Sequence, residues 1–434
     1  MAVLSPPDLG ADVGLEFPVM YAGQRVYAAH EMPEIPLAEL EQRVRQQLQP
    51  LLGRLSRGGR VALTGGSRGI ANVAPILKAC GAFIREAGGD PFVMPAMGSH
   101  GGATAEGQLD VLASYGMTRE ALGMPVISSM DVEQIGWVDE MPVFVSTTAL
   151  EADHILLVNR VKPHTDFHGP FESGLAKICV IGLGKQRGAQ HIHSYGTRGL
   201  VELMPRAARL IIESTGRILG GLAILENAYD HTACVEFVEP DDIAGAGEHA
   251  LLERAGSLMA KLPFEDLDVL IVDEMGKNVS GTGMDTNVLG RMLVPGVPEP
   301  EGPRITAIVV LDLTDESHGN ASGVGLADFT TEHLVSKIDL HATYTNGFTS
   351  GTGGLQRNRI PNVLPSDRAA IAMAMRMVGK PDPNTVRVAR IKNTLLASYV
   401  RFSANLLPDA EQAHVEVTGA PTRMSFDDQG RLRD

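Results

Sequence analysis

The chain has 434 residues, 44% of them hydrophobic and 21% charged, with a formal net charge of −15. That length predicts two domains, each with its own core. The acidic balance, with no basic stripe or aromatic-interleaved patch, excludes nucleic acid as a partner, and no apolar run nears the roughly 18 residues that span a bilayer. The start, MAVLSPPDLGADVG, lacks the basic and apolar regions of a signal peptide, which predicts a cytoplasmic protein. The cysteines Cys80, Cys179 and Cys234 show no C-x-x-C spacing and read as buried small hydrophobes.

In chain order, RVALTG (60–65) reads as a buried strand and 70–88 as a helix stopped by Gly88 and Gly89. Residues 91–97 are strand-like, and 104–115 is a helix with Thr104 as N-cap and Gly116 as stop. Strands are expected at 126–129, 143–146, 154–161 and 178–181, then a helix near 200–214, a strand at 222–225 and a helix over 243–262. This rhythm predicts an α/β fold: two α/β domains with mainly parallel sheets and an active-site cleft between them. The domains are expected at 1–262 and 263–434. The second opens with a strand at 267–273 and continues through a loop at 294–303, a strand at 305–313 and helices near 327–338 and over 366–378, leaving the C-terminal tail free to return to the first domain.

Three glycine-rich segments carry candidate chemistry. TGGSRGIA (64–71) is similar to a dinucleotide-binding turn, but Ala71 replaces the last glycine and no Tyr-x-x-x-Lys pair follows. A turn binding phosphate or carboxylate, with Ser67 and Arg68 as contacts, and a purely structural turn both stay open. MGSHGGAT (97–104) puts His100 between glycines after a strand and before a helix, where open α/β sheets keep their sites. The span 163–193 holds four of the thirteen histidines: His164, His168, His191 and His193. His164 follows a strand and can exchange protons at neutral pH together with His100. His191 and His193, two apart, can share a side if extended and bind nickel, copper, zinc or iron.

These residues resemble the nickel-pincer nucleotide-dependent lactate racemases and their 2-hydroxyacid racemase and epimerase relatives. The likeness rests on Gly98-Ser99-His100, on Pro163-His164, on Ser173-Gly174-Leu175-Ala176-Lys177, and on His193, sixteen residues after Lys177. It implies that His100 and His164, with His168 as substitute, are the catalytic acid–base pair. It further implies that Lys177 holds the cofactor, nickel pyridinium-3,5-bisthiocarboxylic acid mononucleotide, covalently beside Arg68, Ser67 and Gly174, and that His193, with His191 as a second candidate, ligates the nickel. The expected isomerase passes a hydride between a 2-hydroxyacid, larger or more polar than lactate, and the cofactor, and it depends on cofactor-biosynthesis enzymes for loading. The chain departs from the family at Gly65, where an acidic residue is usual, and at Gly290 and Leu293, where a carboxylate clamp is usual. Arg68, Lys277 and Arg291 then become the candidate substrate contacts, and a 2-hydroxyacid other than lactate is expected. Two other classes stay open: a zinc hydrolase built on His191 and His193, and a non-catalytic nucleotide or metal carrier that keeps Lys177 and His193 without needing His100. A homo-oligomer is compatible with all three.

Overall fold

The structure, a computed structural model, describes residues 9–67 and 69–433. The chain divides into two compact units, His30–Met259 and a discontinuous unit that joins Met1–Ala29 to Ala260–Asp434. Strand β1 (Val19–Arg25) lies in the discontinuous unit, so the N-terminal segment does not pack where the sequence reading put it.

In the unit His30–Met259 the strands are β2 (Arg60–Gly65), β3 (Asp90–Pro95), β4 (Val132–Val138), β5 (Met141–Ser146), β6 (His154–Arg160), β7 (Ile218–Glu226) and β8 (Thr232–Val238). Five of them form a sheet in the order β3-β2-β6-β7-β8, parallel except for β8. Continuous apolar runs such as VAL in β2 and ILLV in β6 are buried along their length, as strands covered on both faces must be. The helix Val73–Glu86 turns Val73, Ile76, Leu77, Cys80, Phe83 and Ile84 into the core shared with Val61, Leu63 and Val93. From β2 the chain crosses to β3 on one side, while β6 adds on the other. The carboxyl ends of β2, β3 and β6 therefore frame a topological switch point, where open α/β sheets hold ligands.

Several local expectations change. Residues 143–146 join β5, but β5 pairs only with β4, as an antiparallel hairpin. The stretch 126–129 contributes a single bridge, Val93 to Val126. Residues 178–181 are no strand; they open a π-helix, Ile178–Gly182, that runs into the helix Lys185–Ser194.

The discontinuous unit contributes β9 (Asp266–Met275), β10 (Arg304–Leu313), β11 (Phe329–Thr331), β12 (Asn362–Leu364), β13 (Val388–Ile391), β14 (Tyr399–Ser403) and β15 (Val415–Arg423) to a sheet ordered β12-β11-β10-β9-β13-β14-β1-β15. Pairing is parallel from β12 to β13 and antiparallel from β13 through β14 and β1 to β15. Both sheets are thus mixed rather than purely parallel. Along β9, Leu270 and Val272 face one core and Val269 and Ile271 the other, the alternation that a sheet buried on both sides requires. The stretch 327–338 is the short strand β11 followed by the helix Glu332–Ser336, not one helix. The tail 415–423 stays in this unit as β15. Among the described residues no helix is long and apolar enough to cross a membrane.

Candidate functional site

Three loops leave the carboxyl ends of neighbouring strands in the unit His30–Met259. Ser67 follows β2, His100 follows β3 and His164 follows β6. The Ser67 hydroxyl and His100 Nδ1 share a hydrogen bond, which ties the first loop to the second. Arg68 lies outside the described residues.

The His100 loop is built on left-handed backbone at Gly98, Gly101, Gly102 and Ala103. At Gly98, φ is +60°, and a Cβ would stand 3.2 Å from Ile181 Cγ2 and 3.4 Å from the Ala189 methyl. A side chain there is opposed by both conformation and space. The same contacts lay this loop against the π-helix and the helix Lys185–Ser194. Thr104 then caps the next helix, accepting from the Gly107 amide at 3.0 Å, as its sequence position predicts.

The third loop is organised by two buried carboxylates. Glu172, 6% exposed, accepts from the backbone amides of His164 at 2.5 Å and Gly169 at 3.1 Å, and its Oε1 lies 3.2 Å from His168 Nδ1. Glu248, 2% exposed, accepts from the amides of Ala176 and Ala244 and so holds the first turn of Leu175–Lys177. Burial raises its pKa, against those amide bonds, which favour the charged form. Gly174 is required beside it: a Cβ would stand 2.2 Å from Glu248 Oε1. The Gly174 carbonyl also accepts from Asn159 Nδ2 at 2.8 Å, fastening the loop to the end of β6.

His164 and Lys177 meet in this loop, with Lys177 Nζ 2.5 Å from His164 Nε2. The Asp166 amide donates to His164 Nδ1 at 3.0 Å, and the ring packs on the fully buried Phe167 with centroids 4.6 Å apart. Because Nδ1 accepts, a neutral His164 carries its proton on Nε2. His168 is set differently. Its side chain is 40% exposed, against 12% for His164, and it faces Glu172.

His193 senses the same lysine. Burial is the main cause that lowers its pKa to about 4, with the positive charge of Lys177 adding to it and Asp166 opposing. At neutral pH its imidazole is therefore uncharged, with a nitrogen lone pair to offer. His191 is not its companion. On the helix Lys185–Ser194, residues two apart point about 200° apart, and His191 Nδ1 sits 2.8 Å from the Arg187 carbonyl with its ring against Phe144. The shared side expected of an extended segment is lost. Among the described residues, no three His, Cys, Asp or Glu side chains are grouped as a metal site.

The candidate substrate residues Lys277 and Arg291 belong to the discontinuous unit. Lys277 follows β9 and donates from Nζ to the Gly281 carbonyl at 2.5 Å. Arg291 is engaged by Asp328 at 2.7 Å and by the carbonyls of Leu326 and Ile305, so its guanidinium fastens the amino end of β10 to the segment that leads into β11. Asp285 caps the short helix Thr286–Leu289, accepting from the Asn287 amide at 3.0 Å.

Glu248, Gln108 and Lys185 escaped the sequence reading, which offers Glu172 only as a carboxylate for the zinc alternative. Each is a polar residue buried in the structure, and only Lys185, between glycines in GLGKQRG, stands out along the chain.

Neither a family model nor a curated protein matches this chain. Among solved structures it is similar to a Thermotoga maritima protein known from a crystal structure, with a TM-score of 0.46 and 14% identity over 66% of this chain and 72% of that one.

Proposed function

We propose that the chain is a 2-hydroxyacid racemase or epimerase that carries a nickel-pincer nucleotide on Lys177. The observation that carries this reading is the meeting of a lysine amine and an imidazole, Lys177 and His164, with the charge of that lysine felt at a third group, the neutral His193. The residues fit the group. A lysine amine is the group that makes an amide-type link, and an uncharged His193 is the form that binds nickel. One protein imidazole suffices where the nucleotide brings its own donors. A zinc hydrolase needs three protein ligands, and His191 and His193 diverge on their helix.

The bound nucleotide supplies reversible hydride acceptance at the substrate carbon, which acid–base side chains alone lack. The chain supplies the proton steps. His164 exchanges a proton with the substrate hydroxyl, and for Nε2 to accept, Nδ1 must carry the ring proton and give up the bond from the Asp166 amide. His100, with Nδ1 held by Ser67, uses Nε2 for the same exchange in the opposite sense of turnover. The loops after β2, β3 and β6 bring both imidazoles to one sheet edge, as a reaction run equally well in both directions requires.

The test is intact-mass and metal analysis of protein made alongside the cofactor-building enzymes. The expected result is a mass adduct with nickel in the parent, loss of both in Lys177→Ala, and retention of the adduct with loss of nickel in His193→Ala. An unmodified parent holding zinc overturns the reading.

A further inference from the structure

Lys185 breaks two rules at once. Its side chain is only 1% exposed, and its backbone sits at φ +52°, where side-chain-bearing residues are uncommon. Such a combination persists only where the surroundings over-determine it, and strained, desolvated positions gather where function needs a fixed geometry. The ammonium group donates to the Pro95 carbonyl at 2.7 Å, at the carboxyl end of β3, and to Gln108 Oε1 at 3.0 Å. Gln108 is itself fully buried, and its Nε2 donates to the carbonyls of Gly98 at 3.0 Å and His100 at 3.3 Å.

These bonds form one line: helix start, lysine, glutamine, His100 loop. The loop needs such support. Four of its residues have left-handed backbone, and the backbone bonds His100 N to Met97 O, Ala103 N to His100 O and Thr104 N to Gly101 O are long, at 3.2, 3.3 and 3.3 Å. At its other end the line starts the helix Lys185–Ser194, eight residues before His193.

We propose that Lys185 and Gln108 are positioning residues, a buried strut that sets where the His100 imidazole stands relative to the helix bearing His193. The proposal rests on the reading of His100 and His193 as parts of one site. Neither strut residue touches a reacting atom; both act through the His100 backbone.

Two variants separate this role from bulk stability. Gln108→Glu keeps an acceptor for Lys185 but turns an oxygen toward the two loop carbonyls, so it releases the loop while leaving the lysine paired. Lys185→Met keeps the stem and removes the donor. In the unloaded full-length protein with 15N-labelled histidine, two-bond proton–nitrogen correlation reads each ring, with His100 assigned through His100→Ala. The expected result is that in folded variants the His100 signals and titration midpoint move, while those of the distant, exposed His231 stay. If His100 is unchanged in every folded variant, the strut does not position it and the proposal falls. Should Lys185→Met fail to fold, Gln108→Glu decides alone.

In loaded enzyme, kcat is expected to fall on the order of 10- to 100-fold in Gln108→Glu with KM within about twofold, the scale of an ångström-level misplacement. In a His100→Ala background the same change is expected to cost nothing further, and an additional loss there overturns the proposal. A parent without 2-hydroxyacid turnover defeats the proposed activity instead, and the histidine spectra still decide the strut.

Discussion

His193 sits in an environment at odds with its ordinary chemistry. Its pKa falls from 6.5 to about 4, chiefly through burial and then through the charge of Lys177. Between those two values the unfolded chain binds a proton that the folded chain refuses, so stability is complete above pH 6.5 and is lost as pH falls toward 4. The contribution is at most about 3 kcal/mol at about 1.4 kcal/mol per pKa unit. Urea unfolding at pH 7 and pH 4.5 is expected to show a smaller acid loss in His193→Gln than in the parent; equal losses refute the assignment. Lys177→Met is expected to raise the His193 titration midpoint, read by the same histidine spectra. The spacing of Lys177 and His193 was legible along the chain because both lie in one continuous segment. The buried partners were not. Glu248 reaches Ala176 from a helix seventy-two positions on, and Gln108 meets Lys185 across seventy-seven, so no local pattern marks either pair.

Among the elements, the π-helix Ile178–Gly182, the turn at 183–184 and the left-handed backbone at Lys185 together set the course from Lys177 to His193. ICVIG reads as a strand by its β-branched residues, yet every residue in it is buried, and a short run buried all round suits a strand or a packed helix equally. Length and neighbours decide, and here the flanking Leu175–Lys177 and Lys185–Ser194 are helical. A π turn holds more residues than an α turn, and such turns recur at functional sites. Deleting Val180 should take one residue out of the π turn and re-aim the segment that leads to Lys185 and the helix after it. The expected outcome, read by spectra and mass, is a His193 midpoint returning toward the ordinary histidine range and loss of nickel with the Lys177 adduct retained. An unshifted midpoint would mean that the turn absorbs the deletion elsewhere. The strands β2, β3 and β6 and the cap at Thr104 were readable because apolar runs and capping residues are local signals. The hairpin β4–β5 and the edge strand β15 were harder: β15 is exposed at eight of its nine positions and shows no buried alternation.

At the scale of the molecule, the unit His30–Met259 is inserted into the other one, between β1 and β9. The strand β1 lies between β14 and β15, hydrogen-bonded to both, so it is an interior strand of the eight-stranded sheet. Removing residues through Arg25 is therefore expected to strip two strands from that sheet, because β15 has no other partner among the described strands. Thermal unfolding with limited proteolysis should show the region 260–434 losing its cooperative transition while 30–259 keeps its own. A truncated chain that retains both transitions would show that β1 is dispensable. A plan drawn from local patterns could not reveal this, since pairing between residues at opposite ends of a chain leaves no trace in either segment alone.

The placement of β1 also orders events on the ribosome. The strand is made before the unit His30–Met259, and the two strands it bonds to are made after it. In the interval the whole unit His30–Met259 emerges and can close its core independently. The unit that carries His100, Lys177 and His193 can thus mature before its host is finished, and the eight-stranded sheet closes only after the strands beyond the insertion have been made.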